Sequence, residues 1–441
     1  MVRKIALLLL ALTLLVGMMA GCGGTAQEGK AGQEIVVSIG SEPKSIDPTL
    51  NNAVDGATMI IHAFEGLTKL DSTGKVVPGM AKSWKMSEDG TKFTFTLRDA
   101  KWSDGVPVKA QDFVYSWRRA VDPKVASEYS YQLFYVKNGA AIFGEGAKLE
   151  DLGVKAIDDK TLEVTLEAAT AYFLEITSFP TLFPLREDIV SKDEAWATKP
   201  ETYVTNGPFK LKSWEHNSEL IFEKNADYYD AKTIKPSSIR FVLIVEDNAL
   251  LAAFKNDEVM LADSMPTEEI PALKEEGVLK IDPQLGTYFL CFNVTKAPFD
   301  DVRVRKALSL AIDRQYIVDK ITQGNQIPAG AFVPGGVPDV EASPDFRATG
   351  KDYWDPTAAG NEKNVAEAKK LLAEAGYPDG KGFPQVEYVY NTEGGHKAIA
   401  EAMQERWKKI LGITVKLAGS EWAVFQQTRT DGNFQIARHG W

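Results

Sequence analysis

The side chains that most often carry out catalysis are scattered along this sequence. Its four histidines, His62, His216, His396 and His439, show no metal-binding spacing such as H-E-x-x-H. No G-x-S-x-G motif marks a nucleophilic serine, and the segment 376–382 is one residue too short for a phosphate-binding loop and lacks its Ser or Thr. The sequence therefore gives no support for an enzyme, and it predicts no metal and no cofactor.

A different chemistry is indicated near the N-terminus, where a cysteine follows an apolar segment. Two cations precede an apolar run over residues 5–20, which is shorter than the roughly 20 residues of a comfortable membrane span. The next small residues allow a peptidase to approach, and the Cys22 thiolate can be alkylated by a lipid. We predict a cleaved lipoprotein signal over 1–21 and a flexible tether over 22–34, with an ordinary secretory signal or an uncleaved anchor as alternatives.

The composition beyond this signal is that of a large globular protein. Apolar residues make up 44% of the 441 residues, and the length exceeds what one compact core usually holds, so we expect two or three lobes. The formal net charge of −11 argues against a nucleic-acid partner, because phosphate binding requires a basic face. With Cys22 assigned to lipid, Cys291 has no disulfide partner, and its apolar neighbours indicate a small buried residue.

Strands and helices alternate at short range in the pattern. Apolar runs and alternations predict strands at 35–39, 93–97, 162–166 and 413–417. Capping residues and apolar spacing predict one helix that begins at Asp300 and Asp301 and includes Ile317, and further helices at 365–375 and 397–411. The succession of helix, turn and strand in the last third indicates an α/β lobe.

Six sequence blocks together point to a known family. The block FTFTLRDAKWSDGVPVKAQDFVYSWRRAVDP, from Phe93 to Pro123, closely resembles the signature region of the extracellular oligopeptide-binding proteins of ABC importers, solute-binding family 5. The other blocks follow in the family's order: DLGVKAIDDKTLEVTLE, TNGPFKLKSW, PFDDVRVRKALSLAIDR, AEAKKLLAEAGY and ARHGW. They span nearly the whole chain after the tether, which makes the resemblance far more specific than any short motif.

The resemblance implies an α/β fold of the periplasmic-binding-protein type, a two-lobed clamshell of class II (cluster C) with an extra domain. Domain I would consist of 35–64 and 186–285, domain II of 65–185, and domain III of 286–441. In the family the chain then returns to domain I through a segment that carries an Ala-Asp-Tyr motif, whose aspartate holds the ligand ammonium. Because the sequence stops at Trp441, we expect domain III to be truncated and this aspartate to be absent.

The resemblance also implies a function and a set of binding residues. The protein would be a lipid-anchored receptor on the extracytoplasmic face that captures short peptides in extended conformation and delivers them to an ABC permease. The peptide would lie between the stretch that includes Asn52 and Val54 and the stretch from Arg438 through Gly440 to Trp441. Both stretches would offer backbone groups, and water in roomy pockets would adapt to different side chains.

Further residues are assigned to the pocket by matching motifs. Tyr129 and Trp422 resemble pocket walls, whereas Arg429, His396 and Arg438 resemble residues that meet ligand carboxylates or tune the electrostatic field of the pocket. Plainer roles stay open: the aromatic residues as core, Arg429 as a surface charge, and His396 as part of a helix cap. Asp263 and Cys291 stand where the family has an asparagine and an acidic residue, which leaves the ligand's charge open.

Two other functions stay open on the sequence alone. The same fold in relatives binds dipeptides, signalling peptides, nickel chelates or haem, and the pocket residues do not decide between these ligands. A surface hydrolase is the weaker alternative, because no catalytic triad or metal spacing is present.

Overall fold

The computed structural model describes residues 32–339 and 345–441. The predicted signal peptide, Cys22 and most of the predicted tether lie outside the described residues. Within the described residues, no helix combines the length and the apolar character that crossing a membrane requires.

The described residues form fourteen strands, which are β1 (Glu34–Ser38), β2 (Thr68–Leu70), β3 (Val76–Pro78), β4 (Ala81–Met86), β5 (Lys92–Leu97), β6 (Val154–Asp158), β7 (Thr161–Thr165), β8 (Phe209–Glu215), β9 (Glu219–Lys224), β10 (Ser238–Val242), β11 (Tyr288–Phe292), β12 (Val386–Asn391), β13 (Val415–Ser420) and β14 (Ile436–Gly440).

The α-helices in the same residues are α1 (Val54–Ala63), α2 (Ala110–Val121), α3 (Gly139–Glu145), α4 (Phe173–Ile176), α5 (Glu187–Val190), α6 (Asp247–Lys255), α7 (Ile270–Glu276), α8 (Val302–Leu310), α9 (Arg314–Tyr316), α10 (Phe346–Thr349), α11 (Asn361–Glu374), α12 (His396–Leu411) and α13 (Trp422–Thr430). Short 3₁₀ turns lie between several of them, and a π-helical turn covers Ile317–Thr322.

Three four-stranded sheets organise these elements. One sheet has the order β1-β10-β9-β8, with β1 parallel to β10 and the other pairs antiparallel. A second, fully antiparallel sheet has the order β4-β5-β7-β6. The third has the order β11-β14-β12-β13 and combines an antiparallel β11–β14 pair with parallel β14–β12 and β12–β13 pairs. This mixed α/β architecture is the predicted fold class.

Two large hydrophobic cores divide the described residues into two bodies. The first core runs from Ile46 to Phe241 and is shared by the first two sheets. The second runs from Phe299 to Ile436 around the third sheet. We refer to residues 32–285 as the N-terminal lobe and to the described residues from 286 onward as the C-terminal lobe.

The alternating pattern of β5 explains how one face of the second sheet is buried. Phe93, Phe95 and Leu97 are at most 2% exposed, whereas the lysine before them and the threonines between them lie on the other face. The predicted strands at 35–39, 93–97 and 162–166 are confirmed, with small shifts at their ends. The strand predicted from residue 413 begins two residues later, at Val415.

Capping residues set the helix boundaries in the C-terminal lobe. Asp301 accepts a hydrogen bond from the Arg303 backbone N–H and begins α8, as its position predicted. The prediction that this helix includes Ile317 is wrong, because α8 ends at Leu310 and Asp313 caps a new turn through the Tyr316 N–H. The two other predicted helices are confirmed, although α11 begins four residues earlier than predicted.

Candidate functional site

The two lobes face each other across a cleft that side-chain hydrogen bonds bridge. Three of these bonds join the first 130 residues to α13, and they are Lys44 Nζ to Gln427 Oε1 at 3.3 Å, Trp422 Nε1 to Asp55 Oδ2 at 3.1 Å, and Thr430 Oγ1 to Glu128 Oε1 at 3.3 Å. The chain itself passes between the lobes at Gly286. The lobes are therefore in contact, and α13 forms one wall of the space between them.

One edge of β14 is open along this cleft. Thr287 and Trp441 exchange two backbone hydrogen bonds of 2.7 and 3.1 Å, so the antiparallel alternation turns the backbone groups of Arg438 and Gly440 away from β11. On that other side, β12 pairs with β14 only as far as Ala437. The last residues of β14 can therefore accept an additional extended strand.

The stretch before α1 lies on the opposite side of the same cleft. Asn52 precedes the helix, and Val54, its first residue, is 81% exposed. The Asp55–Trp422 hydrogen bond fixes this helix start against α13. Arg438 in turn lies 5.3 Å from the Trp422 ring, so the two predicted backbone stretches border one space.

Aromatic rings close the end of the cleft at the last residue of the sequence. The Tyr129 ring lies 5.9 Å from the Trp441 ring and 5.0 Å from the Phe179 ring. Burial, together with Tyr131, raises the pKa of Tyr129 to about 12, so its hydroxyl stays protonated at neutral pH. Tyr129 is thus a neutral wall that belongs to the N-terminal lobe and contacts the end of β14.

Two arginines place positive charge in the cleft. The Arg438 guanidinium donates to Asn391 Oδ1 through Nε at 2.7 Å and also through Nη2, and it lies over the rings of Trp422 and Phe425. Arg429 lies 5.0 Å from the Phe425 ring, and its buried Nε has no hydrogen-bond partner among the described residues. Burial lowers the pKa of both guanidinium groups. Neighbouring negative groups therefore do not fully offset the cost of burying these positive charges.

Cys291 lies beside this positive charge. Burial raises the pKa of its thiol, and the neighbouring Arg429 opposes that shift. The thiol packs with Val389, Phe425 and Ala437 in a small apolar cluster beneath the cleft. It is only partly buried, whereas the sequence predicted a buried residue. A neutral thiol therefore lies next to Arg429, so the positive charge of Arg429 remains available to an anion.

His396 is the first residue of α12 and is neutral in this structure. Its ring stacks on Tyr288 with centroids 5.6 Å apart, and the Tyr288 hydroxyl lies 3.3 Å from Nδ1. Burial and the nearby Arg438 lower the pKa of His396 to about 3. No side-chain hydrogen bond caps α12, so the alternative of a capping role for His396 gains no support.

Asp263 is the sequence-predicted residue that no described contact joins to this group. It lies between α6 and α7, and burial raises the pKa of its carboxyl, with Asp247 as the charged neighbour. Its segment approaches the neighbour of one predicted residue, because Thr267 Cγ2 lies 3.7 Å from the position of a Cβ on Gly395, which precedes His396. The remaining nine predicted residues border the cleft.

Three polar residues of the cleft were not predicted from the sequence: Asp55, Asn391 and Glu393. Burial, followed by the charges of Glu421 and Asp55, raises the pKa of Glu393 to about 7. Asn391 Nδ2 donates to Glu393 Oε2 at 3.3 Å. The available signal was position, because Glu393 lies two residues beyond the carboxyl end of the parallel strand β12, where ligands bind in open α/β sheets.

Comparison with known proteins agrees with this geometry. The sequence profile of the bacterial extracellular solute-binding proteins, family 5, matches residues 75–441. The oligopeptide-binding protein OppA of Bacillus subtilis is 39% identical over 99% of this chain and 81% of its own length. The structure of the Escherichia coli murein tripeptide binding protein MppA superposes with a TM-score of 0.85 at 35% identity, over 93% of this chain and 79% of that one.

A second structure of MppA bears on how the lobes are arranged. Its unliganded open form matches 94% of this chain and 80% of its own at the same 35% identity, but with a TM-score of only 0.60. Since the sequence relationship is the same, the lower score reflects a different placement of the lobes. The lobe arrangement of this chain therefore differs from that open form, in agreement with the hydrogen bonds that bridge its cleft.

Proposed function

Because the chain belongs to family 5 of the bacterial extracellular solute-binding proteins, we propose that it captures short peptides in extended conformation and delivers them to an ABC importer. The observation that carries this proposal is the open edge of β14 between two arginines. A peptide that adds to this edge gains main-chain hydrogen bonds whatever its side chains are, and its carboxylates can meet Arg429 and Arg438. The relatives named as binding oligopeptides and a murein tripeptide support the same ligand class.

The binding residues of this proposal divide into two groups by the part of the peptide they contact. Backbone groups come from Asn52, Val54, Arg438 and Gly440. Trp441 contributes its ring instead, because its N–H and C=O are bonded to Thr287. Side chains come from Tyr129, Trp422, His396 and Arg429, and Asp263 is a more distant influence on ligand charge. The domain division into 35–64 with 186–285, 65–185 and 286–441 belongs to the same proposal.

The cellular setting is a further part of the proposal. Lipidation of Cys22 would hold the receptor on the extracytoplasmic face of the membrane, close to its permease. In this proposal the protein binds its ligand and does not convert it chemically. The described residues contain no group of three or more His, Cys, Asp or Glu side chains that could hold a metal ion.

A calorimetric titration with a peptide panel tests the proposal. We expect saturable binding of peptides of different sequences, and weaker binding of free amino acids, because a single residue cannot span the β14 edge. N-methylation of the peptide amide that faces Gly440 should weaken binding by about 10-fold or more, since it leaves a buried carbonyl unpaired. Methylation at the next amide, which points away from the edge, is the matched control. Absence of saturable binding to any peptide would refute the proposed function.

A further inference from the structure

A continuous set of contacts runs from Asp55 in one lobe to Glu393 in the other, across the space between the lobes. Asp55 accepts a hydrogen bond from Trp422, whose ring lies 5.3 Å from the Arg438 guanidinium. Arg438 donates to Asn391 Oδ1, and the Asn391 amide donates to Glu393 at 3.3 Å. The carboxylates of Asp55 and Glu393 therefore border the same space, one from each lobe.

Negative charge exceeds positive charge around this space. Asp55, Glu393 and Glu421 bring three carboxylates, of which Glu421 accepts backbone N–H bonds as the cap of α13. Arg438 is the cation that acts on Glu393, and it uses its Nε and Nη2 on the Asn391 amide oxygen. The second cleft arginine, Arg429, interacts instead with Glu128, Tyr129 and Cys291. Within the described part of the chain, neither Asp55 nor Glu393 has an ion-pair partner within 4.0 Å. The Oε1 atom of Glu393 is buried and has no hydrogen-bond partner among those residues.

Closure of the lobes creates this imbalance. Asp55 is carried by α1 of the N-terminal lobe, whereas Glu393 follows β12 of the C-terminal lobe, so separation of the lobes moves the two carboxylates apart. Bringing them together adds the charge of Asp55 to the burial that raises the pKa of Glu393, and burial also raises the pKa of Asp55. The closed cleft is therefore favoured by anything that supplies one positive charge at this place.

We propose that Asp55 and Glu393 are specificity-determining residues that select peptides carrying a lysine or arginine side chain between their two carboxylates. This inference rests on the proposed function, because the cation arrives on a peptide bound along β14. A lysine or arginine fits because its apolar stem can pack on the Trp422 ring while its charged end reaches the carboxylates. The unpartnered Oε1 of Glu393 then receives the donor that the protein itself does not provide.

A proton is the competing source of positive charge, and it gives the opposite dependence on pH. The groups that face Glu393 are Asn391 two residues before it, Glu421 at the N-cap of α13, Asp55 on α1 and Arg438 on β14. With a neutral peptide, closure brings Asp55 to Glu393 and so raises the pKa of Glu393 toward about 7, and affinity therefore falls as pH rises through 7. With a cationic side chain in place, the ionised carboxylate is the favoured form and affinity is kept above pH 7.

Calorimetry with a positional scan tests the inference. Lysine and its uncharged isostere norleucine are placed in turn at each position of a tetra-alanine peptide, and dissociation constants are measured at pH 6 and pH 8. We expect one position at which lysine binds at least about 10-fold more tightly than norleucine at pH 8. That ratio should fall below about 3-fold in Glu393→Gln and in Asp55→Asn, which keeps an acceptor for Trp422.

Controls separate this inference from the proposed function. Glu405→Gln removes an exposed carboxylate of α12 and should leave the lysine preference unchanged. Binding of unsubstituted tetra-alanine to both cleft variants shows that they fold. Peptide binding without a lysine preference at any position, or a preference that survives in both variants, overturns the inference and leaves the peptide receptor intact. Failure of every peptide to bind overturns the proposed function itself.

Discussion

The indole N–H of Trp422 donates a hydrogen bond of 3.1 Å to Asp55, although 367 positions separate the two residues along the chain. The bond joins the first residue of α13 to the first turn of α1, and so joins one lobe to the other. Trp422 was predicted to be a wall of the ligand pocket. Its position gives it a second role, because a residue that bonds across the cleft also stabilises the closed arrangement.

Trp422→Phe should weaken peptide binding while the fold is kept. The phenyl ring retains much of the apolar contact, but it cannot donate to Asp55, whose buried carboxylate then loses a partner. A hydrogen bond to a charged group contributes about 1.5–3 kcal/mol, so the dissociation constant should rise by roughly 10-fold to 100-fold. Calorimetry with one tight-binding peptide measures the change.

Trp84→Phe is the matched control for this substitution. Trp84 lies in β4, far from α13 in the fold, and packs against Phe95 in the second sheet. Its replacement should leave the dissociation constant within about 2-fold of the wild-type value, as is usual for sites without a contact to the ligand. Equal affinity of Trp422→Phe and Trp84→Phe for the peptide would refute the bridging role of the indole N–H.

His396 should make the protein sensitive to mild acid. Its pKa is lowered to about 3 by burial and by Arg438, whereas in the unfolded chain it is near 6.5. Above pH 6.5 the residue is neutral in both states and has no effect on the pH dependence of stability. As pH falls below 6.5, the unfolded state gains a proton that the folded state does not, so the free energy of unfolding decreases.

Thermal unfolding of wild type and His396→Phe between pH 7.5 and 5 measures this effect. Phenylalanine keeps the stacking on Tyr288 and removes the titrating group, so the variant should lose less stability over this range. Tyr288→Phe is the control, because burial rather than the hydroxyl contact is the main cause of the lowered pKa. Parallel pH profiles of wild type and His396→Phe would contradict the prediction.

Local patterns were sufficient to predict much of the fold. Asp301 begins a helix because its side chain satisfies the free N–H of Arg303, an interaction between neighbours that the sequence displays directly. Phe93 and Phe95 alternate with polar residues because one face of their sheet is buried. The error at Ile317 has the same local origin, because Asp313 offered a second cap inside an otherwise continuous apolar pattern.

The cleft could be predicted only in part. The resemblance to a family supplied Arg438 and Gly440, since both lie in a recognisable block at the end of the sequence. It could not supply Asp55, which has no local signal, or Glu393, whose only signal is its position after β12. Their proximity arises only when two lobes meet. The interaction between these two carboxylates depends on the tertiary structure. No motif or regular spacing in the sequence indicates it.

The buried ion pair of Asp47 and Arg119 should be important for the stability of the N-terminal lobe. Both guanidinium Nη atoms donate to Asp47, at 2.7 and 3.0 Å, and the Trp196 indole and the Thr49 N–H donate to it as well. Asp47→Asn leaves the Arg119 charge buried without a counterion. The free energy of unfolding should fall by about 3–5 kcal/mol, as measured by urea denaturation.

The exposed pair of Lys109 and Asp159 provides the comparison for Asp47. Its two side chains are 44% and 68% exposed, although their 3.1 Å separation is similar to that in the buried pair. Asp159→Asn should change the free energy of unfolding by less than about 1 kcal/mol, since water screens exposed pairs. A loss of similar size in the two variants would mean that burial does not determine the contribution of Asp47.

Arg429→Met should raise stability and lower peptide affinity at the same time. The guanidinium lies in the cleft with a buried Nε that has no partner among the described residues, and burial lowers its pKa. The buried charge of Arg429 therefore destabilises the protein when no ligand is bound. Methionine fills a similar volume against Phe425 without that cost, and the melting temperature should rise by about 2 °C or more. Peptide carboxylates lose their partner, so the dissociation constant should increase by at least about 10-fold.

Lys409→Met on the exposed face of α12 is the control and should alter neither the melting temperature nor the dissociation constant. A variant at Arg429 that melts earlier than wild type would show that the guanidinium stabilises the fold and is not held there for the ligand.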